Sequence, residues 1–171
     1  MMNKLVVCDA GPLIALAKIN QLSLLRQLFN EVIVPETVLK ECLINISLPG
    51  AQKIKEALDQ KIILPKKASI MNFSLDKMSV LDLLDDGEKE AIIIAKEFQA
   101  ELLIDEKQGR KVAKSLFLKV IGIAGLLLMG HEKGFVVNIE NCLYQLKIKG
   151  YRLSDRLIEE VLWRVKNQNL L

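Results

Sequence analysis

The chain has 171 residues, 51% hydrophobic, 26% charged and only 5% aromatic, with a formal charge of +3. That length and apolar content suffice for one domain with its own core, built from Leu, Ile, Val and Ala. So mild a charge permits nucleic-acid binding without arguing for it. Cys8, Cys42 and Cys142 are too scattered for a disulfide framework or a zinc motif, and the single His131 excludes a multi-histidine metal centre. A reducing, cytoplasmic setting is expected. No signal peptide is expected before the first strand, and the longest mainly apolar stretch, residues 120–130, is too short to cross a bilayer.

Leu5-Val6-Val7-Cys8-Asp9, followed by Ala10-Gly11-Pro12, reads as a buried strand that delivers one carboxylate to its C-terminal tip. Pro12 cannot extend the strand but suits the first turn of a helix, expected over 13–29. A strand follows at 31–35, then a helix at 36–45 with Val38, Leu39, Cys42 and Leu43 inward, broken at Pro49-Gly50. The spacing predicts a helix at 51–59, short extended pieces at 61–64 and 70–73, and a helix at 76–84 ended by Asp85-Asp86-Gly87. A strongly apolar helix is expected at 88–98. The strand at 101–104 ends in a second strand-tip acid, Asp105, with Glu106 beside it. A basic helix at 108–116 precedes a strand at 118–121 and a helix at 124–133. Two closing helices, 138–149 and 154–167, have Gly150 as a C-terminal stop and Ser154 as an N-cap. Strands alternating with helices imply a mainly parallel sheet covered on both faces. Neither an internal repeat nor a linker divides the chain.

The acids define the candidate site. Strand tips on one edge of a parallel sheet converge, so Asp9 and Asp105 can meet. Glu88 lies on the side of its helix that carries Ala91, Ile92 and Ala95, where a carboxylate is costly unless paired, protonated or bound to a cation. Clustered carboxylates without histidine or thiolate suit a hard ion, Mg²⁺ or Mn²⁺, and hence metal-assisted phosphodiester hydrolysis. The bland alternatives are a turn or cap role for Asp9 and Asp105, a solvated surface for Glu41, and a favourable first-turn charge for Glu88. Asp76, Asp82, Asp85 and Asp86 read as solvated, and His131 and Trp163 as packing or surface residues. Lys107, Arg110, Lys111 and Lys114 could hold phosphates beside a metal, or simply form a solvated helix face.

Five segments resemble the PIN-domain nucleases, in particular a branch of VapC-like prokaryotic proteins. They are V-V-C-D-A-G-P-L-I-A-L-A-K-I (6–19), V-I-V-P-E-T-V-L-K-E (32–41), L-D-D-G-E-K-E-A-I-I-I-A (84–95), L-L-I-D-E-K-Q-G-R-K-V-A (102–113) and G-Y-R-L-S-D (150–155). The resemblance implies a three-layer α/β/α fold and an acidic pocket for Mg²⁺ or Mn²⁺. It also implies cleavage of RNA, commonly by a toxin restrained by an antitoxin encoded beside it. Asp9, Glu41, Glu88 and Asp105 match the four acids of that pattern, with Asp9, Glu88 and Asp105 expected on the metal. Glu90 also fits G-E-x-E-A but lies half a turn away from Glu88, and Glu106 is expected nearer the surface. Many PIN domains carry Ser or Thr just after the first Asp, and many of this branch have Gly-Thr where this chain has Gly122-Ile123. Here Ala10-Gly11 and Ile123 offer no hydroxyl. A module that binds RNA or a protein partner without cutting is therefore the rival reading. A catalytic core of about 1–134 and a helical extension of about 135–171 are expected, with a homodimer surface or ordinary packing formed by Leu157, Ile158, Val161, Leu162, Trp163 and Val165.

Overall fold

The computed structural model describes residues 4–69 and 79–167. Five parallel strands form the sheet: β1 (Leu5–Cys8), β2 (Glu31–Pro35), β3 (Leu64–Lys66), β4 (Glu101–Leu103) and β5 (Val120–Ile121), in the order β3-β2-β1-β4-β5. The chain winds outward from β1 to β3, then returns to the other side of β1 for β4 and β5. Strand order therefore reverses between β1 and β4, where the outgoing loops part and leave a crevice at the carboxyl ends of the strands.

The alternation of side chains along each strand divides the core in two. Val6, Cys8, Val32, Val34 and Leu103 face one way, into the larger cluster. Helices α1 (Ala10–Lys18), α2 (Ser23–Leu28), α3 (Glu36–Leu43), α4 (Ala51–Asp59), α7 (Ile123–Glu132) and α8 (Ile139–Ile148) contribute to that cluster. Val7, Ile33, Leu102 and Ile104 face the other way, against α5 (Asp86–Glu97) and α6 (Lys107–Ser115). The result is the three-layer α/β/α arrangement expected from strands apolar on both faces. The closing helix, α9 (Asp155–Asn167), buries Val161. Ile158, Leu162 and Val165 pack partly against the same core, while Leu157 and Trp163 are exposed.

Several boundaries differ from the expected ones for one reason. The helix expected over 13–29 is two helices, because Asn20 takes a left-handed conformation (φ 60°) and ends α1. Its N–H and that of Gln21 turn back to Ala17 O and Leu16 O, the paired bonds of a Schellman ending. Lys61 and Phe117 do the same after α4 and α6, at φ 56° and 60°. The turn out of α4 uses up residues 61–63, so β3 starts at Leu64 rather than Lys61. The turn out of α6 likewise delays β5 to Val120. Gly150 (φ 82°) makes the same ending after α8, and the Ser154 hydroxyl caps α9 by accepting from Leu157 N–H at 3.2 Å. Residues 79–81 are helical. The extended piece expected at 70–73 and the start of the helix expected at 76 lie outside the described residues, as does Asp76.

Candidate active site

Asp9 stands at the tip of β1, and its backbone N–H donates to Leu103 O at 3.0 Å, which locks the tip of β1 to β4. Asp9 is the N-cap residue of α1 by position, but its carboxylate makes no capping bond to the N–H groups of that helix beyond Ala10. The side chain is 6% exposed. Burial pushes its pKa up to about 7, with Glu88, Asp85 and Glu41 adding repulsion against only the Ala10 N–H in its favour. Cys42, one residue along α3 from Glu41, lies in the same negative field. Burial, Glu41 and Asp9 push its thiol up to about 12.

Glu88 sits in the first turn of α5 and is 7% exposed. It forms a capping box with Asp85: Glu88 N–H donates to Asp85 Oδ1 at 2.8 Å, and Asp85 N–H donates to Glu88 Oε2 at 3.3 Å. Burial and the neighbouring Asp85 raise the pKa of Glu88 above the usual carboxylate range. Glu41, on α3, is exposed and is raised by partial burial and Asp85. Its carboxylate approaches the start of α5, where a Cβ on Gly87 would lie 3.7 Å from Glu41 Oε2. Asp85 is exposed, as expected, yet it is also the cap of α5 and a source of repulsion on Asp9, Glu41 and Glu88. A D-x-x-E pair ahead of an apolar run is a capping-box signature, and Asp85 was legible on that ground.

Asp105 is held differently. Both its oxygens accept from Ile123 N–H, at 3.2 and 3.1 Å, where α7 begins, and Oδ2 also accepts from the Tyr151 hydroxyl at 2.6 Å. Burial raises its pKa, and these donors with the Arg110 guanidinium oppose the rise. Arg110 itself donates to Ile104 O at 2.9 Å. Two close approaches require glycine here. A Cβ at Gly122 would lie 2.7 Å from Asp105 Oδ1, and one at Gly109 would lie 2.8 Å from Glu88 Oε1 and 2.4 Å from Ile104 Cδ1. Tyr151, which arrives from beyond α8, belongs to the G-Y-R-L-S-D segment that resembles the family, but the residue spacing gave it no role.

Asp9, Glu41 and Glu88 thus face one another across the β1, α3 and α5 junction, and Asp105 stands beside them at the tip of β4. Among the described residues, none of Asp9, Glu41 and Glu88 has a salt bridge to a lysine or arginine. Uncompensated, partly desolvated carboxylate oxygens are the donor set a hard divalent cation takes. Among the described residues, no three such groups stand ready-placed around one point, and Glu88 is turned into its capping box. The donors fit in kind, and ligation by Glu88 requires it to leave the Asp85 N–H. Glu90 points elsewhere: it accepts from Thr37 N–H at 2.9 Å and Ala68 N–H at 3.0 Å, which lower its pKa. Glu106 is exposed.

A cleft of about 1000 Å³ opens beside Asp105. Lys107 and Arg110 line it from α6, Arg152 and Arg164 from the C-terminal segment, and Ala124, Gly125 and Leu128 supply apolar wall. Lys111 and Lys114 are exposed on α6 but do not line this cleft.

A doubly wound parallel sheet with acids gathered at its strand-order reversal defines the class. The chain belongs to the PIN-domain family, whose model matches residues 5–167. A solved PilT N-terminus domain protein from the hyperthermophilic archaeon Sulfolobus solfataricus P2 shares the fold, with a TM-score of 0.52 and 19% identity over 71% of this chain and 89% of that one. No curated protein matches the chain significantly. The fold is of the nuclease type, and among the described residues no helix is long and apolar enough to cross a membrane.

Proposed function

We propose that the protein is a Mg²⁺- or Mn²⁺-dependent endoribonuclease. The observation that carries this reading is the buried Asp9 carboxylate, facing Glu88 and Glu41 at the strand-order reversal of a PIN domain, with no salt bridge to neutralise it among the described residues. Asp9, Glu88 and Asp105 would hold the ion, and Glu41 would complete the cluster directly or through water. The bound ion supplies a water of lowered pKa and neutralises charge on the scissile phosphate. The chain's own part is to gather the acids, keep the Asp9 end of the site dry, and hold the nucleic acid. Lys107 and Arg110, with Arg152 and Arg164, line the cleft beside Asp105 and would supply positive charge for phosphates there. Lys111 and Lys114 extend the positive face of α6 outward.

The resemblance to VapC-like proteins supports a further step: a cytoplasmic toxin restrained by a protein antitoxin encoded beside it. A small adjacent open reading frame supports that step, and its absence removes it. The exposed Trp163 and Leu157 of α9 are the surface through which a homodimer would form, which light scattering at high concentration tests.

The deciding experiment incubates the purified chain with structured and single-stranded RNAs in Mn²⁺, beside EDTA and Asp9→Asn controls. Metal-dependent cleavage lost in the variant is the expected result. RNA bound but uncut by the wild type replaces this reading with that of a binding module, and neither binding nor cleavage removes both.

A further inference from the structure

We propose that Tyr151 is a positioning residue of the acidic site, its hydroxyl supplied by the C-terminal segment to hold the Asp105 carboxylate in place beside Asp9. This rests on the reading of that site as a metal centre. The turn after Asp9 carries no hydroxyl, since Ala10 and Gly11 occupy it, and neither does Ile123 where α7 begins. The Tyr151 hydroxyl stands in that space. A Cβ at Gly11 would lie 3.8 Å from it, and its partner Asp105 Oδ2 is 2.6 Å away. At 2.6 Å the bond is a short one for a hydroxyl donor.

The bond has a task that packing does not explain. A carboxylate offers about four acceptor positions. Ile123 N–H and Tyr151 occupy part of this capacity and leave the rest open. The competing pull comes from Arg110, since the space beside Gly122 lies 2.7 Å from Asp105 Oδ1 and 3.0 Å from Arg110 Nη1. Without the phenol, Asp105 is free to turn onto the guanidinium, where it becomes an ion pair and is lost as a ligand. Tyr151 is placed for this by Gly150, whose left-handed turn ends α8, and by its own N–H donating to Leu146 O at 2.9 Å.

The test is Mn²⁺ affinity, measured by titration calorimetry on the full chain for the wild type, Tyr151→Phe, Asp9→Asn and, as a control, Arg156→Ala. Phenylalanine keeps the ring that packs against the core, and circular dichroism checks that the fold persists. Groups that orient metal ligands typically change affinity by about 10- to 100-fold. The expected result is a loss of that size in Y151F, with kcat for RNA cleavage falling, KM unchanged, and R156A like the wild type. Y151F affinity within about twofold of the wild type, while D9N is weakened, overturns the proposal and leaves the metal reading standing, whatever Y151F does to the melting temperature. If D9N binds Mn²⁺ as the wild type does, the metal reading itself fails and this inference with it.

Discussion

Replacing Asp9 with asparagine should stabilise the protein while abolishing the proposed chemistry. Asp9 is buried, and desolvation with three acidic neighbours raises its pKa to about 7. In the unfolded chain an aspartate titrates near ~3.9. Between about pH 4 and pH 7 the native state therefore holds a proton that the unfolded state has released, and stability falls as pH rises through that window. Roughly three pKa units at about 1.4 kcal/mol each give an upper figure of about 4 kcal/mol, and relaxation around Glu41 and Glu88 brings the expected cost to about 2–4 kcal/mol at pH 8. Asparagine has nearly the shape of protonated aspartate and carries no charge, so the variant escapes this cost. At about 2–4 °C per kcal/mol for a chain of this size, D9N should melt roughly 5–10 °C above the wild type at pH 8 in EDTA. At pH 5 the wild-type carboxyl is mostly protonated in the native state, and the gain should shrink to about a third. Scanning calorimetry at the two pH values decides it. A gain that is absent at pH 8, or equal at both, would refute the account of Asp9 as a desolvated and repelled carboxylate.

Glu90→Ala strips the acceptor from Thr37 N–H and Ala68 N–H and should cost about 1–3 kcal/mol, with Mn²⁺ affinity unchanged in a calorimetric titration. Because the pKa of Glu90 is lowered, the stability it contributes is present above the unfolded value and fades as pH falls through the native one, so this cost should shrink in acid. Gly109→Ala drives a Cβ against Ile104 and the Glu88 carboxylate, and a loss of about 1–3 kcal/mol in urea unfolding is expected together with weaker Mn²⁺ binding. Arg152→Ala should lower the slope of log RNA affinity against log salt by about 0.7, the share of one phosphate contact to a single strand. An unchanged slope takes Arg152 out of the nucleic-acid path.

What could be read from the residues, and what could not, follows from range. β1 and β4 were legible because an apolar run stopping at an acid is a local pattern, and the two acids meet because parallel strands share an edge. The parting of α1 from α2 was only weakly legible, in Asn20, which after glycine best tolerates a left-handed helix ending. Lys61, Gln99 and Phe117 take the same conformation, and nothing in their chemistry announces it. Asp85 was visible as half of a capping box but not as a neighbour of Asp9, because that depends on how α5 docks beside α3. The expected phosphate grip on α6 was legible as charge. Which of its cations face the cleft was not, and neither were Arg152 and Arg164, which the C-terminal segment brings there by its turn and by the packing of α9.

The C-terminal segment is better explained by what it delivers than by what it buries. α9 places one side chain, Val161, fully in the core, with Ile158, Leu162 and Val165 partly covered. The turn that leads into it, however, sets Tyr151 on Asp105 and Arg152 in the cleft, and the helix itself adds Arg164. The sheet supplies the acids from its own strand tips and the helices beside them. The hydroxyl and two of the cations reach the same edge only because the chain returns there after its core is complete.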